Sequence, residues 1–165
     1  MGKVYVIKKG DHYSNHTPKL CYGKTRMSVL FKFMDGCWFP MEIPPDSAIN
    51  KLCGWSWGLH HRNSVRCGWT PSKEPGHIDL FFYVYAGGIR IDRYFTTIEL
   101  GLEYLLEIDV ESNLLSFRLE RDGISTTNSL YFPIPKMKLG YCLFPYVGGY
   151  LPARVNTKIY IDFKP

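Results

Sequence analysis

Strict alternation of apolar and polar residues in short runs constrains this chain more than any other feature of its sequence. Tyr104, Leu106, Ile108 and Val110 occupy alternate positions, and from Glu107 to Glu111 the positions between them are acidic. Between Leu115 and Glu120 apolar residues alternate with Ser, Arg and Glu. A third run, from Val155 to Lys164, repeats the pattern. Because successive side chains of a strand point to opposite faces, each run predicts a strand with one core face and one polar face.

Short strands joined by turns are predicted along the whole chain. The runs from Ile78 to Tyr85 and from Ile89 to Phe95 predict a hairpin, because Gly87-Gly88 between them allows the positive φ of a tight turn. Ser112-Asn113 and Asp122-Gly123 mark two further turns. No long stretch shows the period of about 3.6 residues that a helix requires. The 15 Gly, 11 Pro, 4 Trp, 12 Tyr and 10 Phe are typical of strands and turns.

We therefore predict an all-β fold, an antiparallel two-sheet sandwich of jelly-roll or concanavalin-like type with about ten strands and little helix. A closed barrel is the alternative, because the same pattern serves both architectures. With 165 residues, the chain is expected to form a single domain over residues 1–165, and residues 1–25 are left open as an extended N-terminal arm. The proline-containing segment from Met41 to Asn50 is predicted to be a connection.

Charge and cysteine usage limit the partners and the compartment. The net charge of +5 is scattered, which is typical of a solvated surface, and no RNA-recognition or helix-turn-helix pattern occurs, so nucleic acid is disfavoured as a partner. No apolar run is long enough to span a membrane, and the first 20 residues do not resemble a signal peptide. Five cysteines without a CxxC pair are predicted to be reduced thiols. We expect a cytoplasmic protein, or one of a virion assembled in the cytoplasm, with no membrane contact and no cofactor.

The densest group of potential binding side chains lies between Asn50 and Trp69. A strand here places two tryptophans on one face, and the loop that follows carries two histidines and an asparagine beside an arginine. Such rings and polar groups can stack on a sugar and hydrogen-bond its hydroxyls. An aromatic, glycine-rich turn from Tyr141 to Tyr150 is expected to join this block in space. The predicted ligand-binding residues are Trp55, Trp57, His60, His61, Asn63, Arg66, Trp69 and Tyr146. In the alternative interpretation, the tryptophans fill the core and the polar loop connects neighbouring strands through buried hydrogen bonds.

Arg66 and the adjacent histidines carry specific expectations. Arg66 lies between Val65 and Cys67, two expected core residues, so its side chain should point away from the core and needs a charged partner. His60 and His61 would point to opposite sides of a strand, which is poor geometry for two ligands of one metal. We predict no metal site.

The sequence Glu107-Ile108-Asp109-Val110-Glu111 resembles the ExDxE signature of laminarinase-like β-glucanases, which are concanavalin-like sandwiches. The resemblance implies a retaining glycosidase in which Glu107 is the nucleophile and Glu111 the acid/base, while Asp109 holds its neighbour's proton. Acidic residues are also ordinary on the wet face of an amphipathic strand. We therefore predict no catalytic residue. In the alternative prediction, Glu107, Asp109 and Glu111 are catalytic.

Two further blocks cover much of the chain, one formed by Asn50-Lys51-Leu52 with residues 60–69 and the other by residues 140–149. They resemble an uncharacterised group of small proteins from gut Bacteroidetes and their phages, which share an NKLxGxSxGxHHxNSxRxGW block and a GYxLxPYFGG block. The chain departs from this group at Val147, where Phe is expected, and from Arg154 to Thr157, where an acidic and His-containing run is expected. The resemblance implies a fold and a bacterial or phage origin, but no reaction.

The sequence therefore supports two functional hypotheses from different classes. The first is a non-enzymatic binding or structural module, associated with a phage virion, that recognises a glycan or a protein neighbour through its loops. The second is a retaining glycoside hydrolase that uses Glu107 and Glu111. A homo-oligomer is left open in both.

Overall fold

The computed structural model describes residues 2–40, 49–149 and 151–165, which form two antiparallel sheets of six strands each. In the described ranges there is no helix of the length and apolarity that a membrane crossing requires. The sandwich prediction is confirmed, and two separate sheets replace the closed barrel. The strands are β1 (Lys3–Ile7), β2 (Lys19–Tyr22), β3 (Arg26–Phe33), β4 (Asn50–Ser56), β5 (Ser64–Pro71), β6 (His77–Ala86), β7 (Ile89–Glu99), β8 (Tyr104–Glu111), β9 (Leu114–Arg121), β10 (Ile124–Tyr131), β11 (Leu139–Leu143) and β12 (Thr157–Lys164).

The two sheets interleave segments from both ends of the chain. The first sheet has the strand order β1-β12-β3-β8-β9-β10, and the second has the order β2-β11-β4-β5-β6-β7. The N-terminal residues, left open above as an extended arm, supply one edge strand to each sheet, since β1 pairs with β12 and β2 with β11. Most of the segment predicted as a connection from Met41 to Asn50 lies outside the described residues, and Asn50 itself begins β4.

The predicted turns lie where the sequence places them. Ser112 and Asn113 join β8 to β9 with φ values of 50° and 62°, and Asp122 joins β9 to β10 with φ of 52°. Positive φ at such positions gives the turn a twist that matches the right-handed twist of the flanking strands. Gly87 and Gly88 likewise connect β6 to β7 with φ values of 59° and 90°. These turns fix the register of three hairpins.

The apolar faces of the alternating runs form the core between the sheets. The residues predicted to be buried are all 1% exposed or less: Leu106, Ile108, Leu115, Phe117, Ile159 and Ile161. Of the three polar-face residues expected to be exposed, Arg118 is exposed and Lys158 is half-buried. The side chain of Glu107 is only 22% exposed because Arg26 and Arg118 cover its carboxylate. The register of the amphipathic strands is therefore confirmed. All five cysteines are free, and Cys37, Cys53 and Cys67 are buried.

Candidate functional site

A cleft of about 830 Å³ opens on the face of the second sheet that points away from the core. Its floor is formed by side chains from five neighbouring strands, β11, β4, β5, β6 and β7, and its wall by the segment before β2 and the segment after β11. The cationic and tyrosine side chains that line the cleft include Lys51 on β4, Arg66 on β5, Tyr83 on β6, Arg90 on β7, Tyr141 on β11 and Tyr146 after it. The sheet thus brings together polar and aromatic groups from distant parts of the sequence.

Arg66 lies on the floor of the cleft. Its neighbours Val65 and Cys67 are buried in the core, so strand alternation directs the Arg66 side chain to the opposite face. The facing residue on β4 is Gly54, where a Cβ atom would lie 2.7 Å from the Arg66 Cα and 2.9 Å from its Cγ. Gly54 therefore leaves the room that the arginine occupies.

The environment of Arg66 differs from the sequence expectation. A charged partner was expected, but no carboxylate of the described residues lies within ion-pair distance of the guanidinium, whose Nε and Nη2 have no hydrogen-bond partner. Its Cζ instead lies 4.8 Å from the ring centroid of Tyr83 and 5.7 Å from that of Tyr85. Burial lowers the pKa of Arg66, yet an arginine side chain stays protonated in proteins. The cleft floor therefore holds a buried positive charge.

Lys51 adds a second buried cation beside Arg66. A β-bulge between Lys51 and Cys53 directs both Leu52 and Cys53 into the core, which leaves the Lys51 side chain on the cleft face. Its Nζ lies 4.5 Å from the ring centroid of Tyr83, and the residue is 7% exposed. Burial, together with the charges of Arg66 and Arg90, lowers the pKa of Lys51 to about 7.

Two histidines and a tyrosine form a neutral polar group at one end of the cleft. His60 Nδ1 shares a short hydrogen bond with the hydroxyl of Tyr141, and the His60 and His61 rings lie 4.1 Å apart. The His61 ring also meets Tyr85 edge-on at 5.3 Å. Burial and the neighbouring cations lower the pKa of His60 to about 4, so the imidazole is uncharged at neutral pH. These side chains can therefore exchange hydrogen bonds with a ligand without adding charge.

Aromatic rings form the opposite wall. The ring of Tyr146 stacks on His12 at 5.6 Å and meets Tyr13 edge-on at 4.9 Å. The backbone of Tyr146 forms antiparallel bridges to both Tyr13 and Lys51, which anchors the wall to β4. Tyr13 itself is 71% exposed and presents its ring to the solvent-filled side of the cleft.

The structure divides the residues predicted to bind a ligand into two groups. Four of them line the cleft: His60, His61, Arg66 and Tyr146. The three tryptophans are at most 3% exposed and lie in the core, as in the alternative interpretation: Trp55, Trp57 and Trp69. Asn63 accepts a hydrogen bond from the backbone N–H of Gly87 at 3.0 Å and so ties two loops together. Tyr150 lies outside the described residues.

Sequence reasoning missed several cleft residues. Tyr83 could have been found, because it alternates with the core residues Phe82 and Val84 and therefore shares the face of its register partner Arg66. Lys51 could not, because a bulge interrupts the alternation on which such an assignment depends. Arg90 and Tyr13 come from separate segments that only the sheet order brings together. Tyr141, by contrast, belongs to the aromatic turn that the sequence analysis expects beside this block, and its hydroxyl contacts His60.

The acidic residues of the glucanase-like signature occupy a different surface. Glu107 forms ion pairs of 3.0 Å with both Arg26 and Arg118, and the hydrogen bond from Arg118 is the main cause of its lowered pKa. Glu107, Asp109 and Glu111 line neither the cleft described above nor a smaller cavity of about 500 Å³ beside β1 and β2. Within the described ranges, no group of three or more His, Cys, Asp or Glu side chains is arranged to hold a metal ion.

Gly140 sets the position of β11 and hence that of the Tyr141 hydroxyl. A Cβ atom at Gly140 would lie 1.8 Å from the carbonyl oxygen of Ser56, so Gly140→Ala must push β11 away from β4. We expect the variant to lose about 1–3 kcal/mol of unfolding free energy in urea denaturation. The control is Leu139→Ala, because Leu139 is 56% exposed and its truncation should be nearly neutral. Equal stability of the two variants would contradict the close packing of β11 against β4.

Comparison with solved structures identifies proteins of similar fold. An alginate lyase from Klebsiella pneumoniae superposes with a TM-score of 0.66 at 10% identity over 84% of this chain, which spans 58% of the length of that lyase. A β-1,3-1,4-glucanase (lichenase) from a mouse hindgut metagenome has a TM-score of 0.54 at 11% identity over 98% of this chain and 78% of its own. A functionally unknown protein from Saccharomyces cerevisiae has a TM-score of 0.55 at 12% identity, over 96% and 80% of the two chains. No protein-family model and no curated sequence matches the chain. At these identities the likeness shows the fold alone.

Proposed function

We propose that this protein binds a glycan chain in the cleft of the second sheet. The observation that carries the proposal is the cleft itself, about 830 Å³ in volume, in which aromatic rings stand beside hydroxyl, imidazole and cationic groups. Aromatic faces pack against the apolar faces of sugar rings, while the polar groups pair with sugar hydroxyls. This arrangement suits a polar, ring-shaped ligand better than an apolar one.

Two features favour a glycan over a protein neighbour as the ligand. The site is a concave cleft on a sheet. A protein that binds a domain of this size is expected to cover a broad, largely flat surface instead. The fold is also shared with an alginate lyase and a β-1,3-1,4-glucanase, two proteins that act on polysaccharides. Recognition of a glycan is therefore the proposal, and recognition of a protein surface is one outcome of its test.

The test uses two tyrosines of matched exposure, one at the cleft and one on the first sheet. Tyr13 is 71% exposed at the cleft, and Tyr131 is 70% exposed on β10 of the first sheet. Titration calorimetry against a panel of acidic and neutral polysaccharides should find binding that Tyr13→Ala weakens about tenfold, equal to about 1.4 kcal/mol. Tyr131→Ala should bind like the wild type. Absence of binding to every polysaccharide, or equal losses in both variants, would refute the proposal.

The same samples distinguish binding from cleavage. In the binding proposal, the chain length of the polysaccharide stays constant during incubation, and Glu107→Gln behaves like the wild type because Glu107 lies outside the cleft. Shortening of a β-glucan by the wild type that disappears in Glu107→Gln would support the glycoside hydrolase alternative. Size-exclusion chromatography of the polysaccharide is sufficient for this measurement.

A further inference from the structure

We propose that the glycan is acidic, and that its negatively charged group, a uronate carboxylate or a sulfate ester, is bound between Lys51 and Arg66. This inference rests on the proposed function, because it names the ligand class of the same cleft. Two buried cations, Lys51 and Arg66, have no counter-charge among the described residues.

The two cations are close together, and no carboxylate of the described residues compensates them. Lys51 is 7% exposed and Arg66 is 6% exposed, and their charged groups lie 4.5 Å and 4.8 Å from the same Tyr83 ring. Two N–H-bearing atoms of Arg66, Nε and Nη2, are buried and find no hydrogen-bond partner in the part of the chain that the structure describes. An unpaired buried charge is strongly unfavourable, and two like charges increase the penalty. An anion with two or more oxygen acceptors would satisfy both residues at once.

The surrounding groups do not supply that anion. None of the described residues that line the cleft is an Asp or a Glu. Tyr83 is not a source of negative charge, because burial raises the pKa of its hydroxyl to about 12. Arg90, at the edge of the cleft, already has its own partner in Asp92 at 2.9 Å. The positive charge of Lys51 and Arg66 is therefore left for a ligand.

The distribution of charge favours an acidic glycan over a nucleic acid. A phosphate backbone needs cations spaced along a groove, one for each phosphate that is neutralised. Here two uncompensated cations lie together at one point of the floor, and neutral hydroxyl and imidazole groups surround them. A saccharide that carries one charged group beside several hydroxyls matches this pattern.

The first arm of the experiment compares ligands that differ only in charge. Polygalacturonate and alginate are titrated against their carboxyl-reduced, neutral forms, and dextran sulfate is titrated against dextran. We expect at least one acidic polymer to bind at least about tenfold more tightly than its neutral counterpart, with an affinity that falls as salt is added. The uronate and sulfate pairs show which anion is preferred. Equal affinity for charged and neutral forms would overturn the inference, as would tighter binding of an oligothymidylate.

The second arm changes the cations. Arg66→Met replaces an unpaired buried charge by an apolar side chain of similar length, so the variant should fold and should lose affinity for the acidic polymer on the order of a hundredfold. Lys51→Met removes the other cation of the proposed site, with an expected loss of about tenfold. Arg90→Gln, whose charge is already paired with that of Asp92, should lose at most about fivefold. The control is Arg118→Gln, because Arg118 is 46% exposed and ion-paired, like Arg90 at 44%, but lies on the first sheet.

The outcomes separate this inference from the proposed function. If neutral glycans bind as tightly as the acidic forms, the cleft binds glycans but the inference that the ligand is acidic is wrong. If no polymer binds, both proposals fail. If Arg66→Met unfolds, the decision rests on Lys51→Met, for which unchanged affinity would overturn the inference.

Discussion

Phe117→Ala should lower the free energy of unfolding by about 3–5 kcal/mol, the effect expected for truncating a fully buried phenylalanine. Phe117 is 0% exposed on β9 of the first sheet, and its ring stacks on Phe82 of the second sheet at 4.1 Å. Phe95, also from the second sheet, meets it edge-on at 5.7 Å. Truncation would therefore open a cavity between the two sheets, where neither sheet can relax independently.

The measurement is a urea unfolding curve for the wild type and the variant. A loss of this size is a large fraction of the stability of a typical domain, about 5–15 kcal/mol. Arg118→Ala is the control, because Arg118 follows Phe117 directly but points to the exposed side of β9 and should lose less than about 1 kcal/mol. A double variant with Phe82→Ala should lose less than the sum of the two single losses, because Phe82 and Phe117 share one contact. Losses of similar size for Phe117→Ala and Arg118→Ala would mean that the assigned faces of β9 are wrong.

The sandwich could be predicted because its determinants are local. Alternation over a few residues assigns the inner and outer face of strands such as β8 and β9, and Ser112-Asn113 between them supplies the positive φ of the turn. The order of the strands within each sheet has no such local signature. That β1 pairs with β12, at opposite ends of the chain, follows only from the folded structure.

The candidate site was only half predictable for a related reason. His60, His61 and Arg66 lie close together in sequence, so a local pattern drew attention to them. For the tryptophans of the same segment the sequence allows both a ligand-binding and a core position. The structure places them in the core between the two sheets, where Trp69 packs against Phe33 at 4.9 Å. Composition alone does not tell which face of a strand will be covered by another sheet.

The most important cleft residue that the sequence did not reveal is Lys51. In a regular strand Lys51 and Cys53 would point to the same face. Because Cys53 is buried in the core, a regular strand would also place Lys51 in the core, which is improbable for a lysine. The bulge removes this conflict, because it adds one residue to β4 and separates the two side chains. A charged residue beside a bulge is thus a structural feature that single-sequence patterns misread.

Lys51→Met should stabilise the free protein and remove a pH dependence of its stability. Burial beside Arg66 and Arg90 lowers the pKa of Lys51 to about 7, whereas an unfolded chain has a lysine pKa of about 10.4. Between these two values the unfolded state binds more protons than the folded state, so wild-type stability should rise with pH by up to about 1.4 kcal/mol per unit. Below pH 7 both states are protonated, and the contribution of Lys51 becomes flat.

Other groups that face Lys51 do not produce the same slope. Arg66 and Arg90 stay charged across this range. The hydroxyls of Tyr83 and Tyr146 have pKa values raised by burial, and His60 and His61 have lowered ones, so the imidazoles are already neutral at pH 7. The difference between wild type and Lys51→Met from pH 7 to pH 9 therefore reports on Lys51. Thermal or urea unfolding at several pH values measures it.

Lys51→Met should raise the stability of the free protein but lower its affinity for an acidic glycan. An anion bound at Lys51 stabilises the ammonium form, so the affinity of the wild type for an acidic glycan should fall as the pH rises above 7 and the free lysine loses its proton. Lys51→Met should bind the acidic glycan more weakly, with an affinity nearly constant from pH 7 to pH 9. A variant that is both less stable and equally able to bind would contradict the role assigned to this lysine. A variant that is more stable but binds poorly would show that the cleft keeps an unfavourable buried charge for the sake of its ligand.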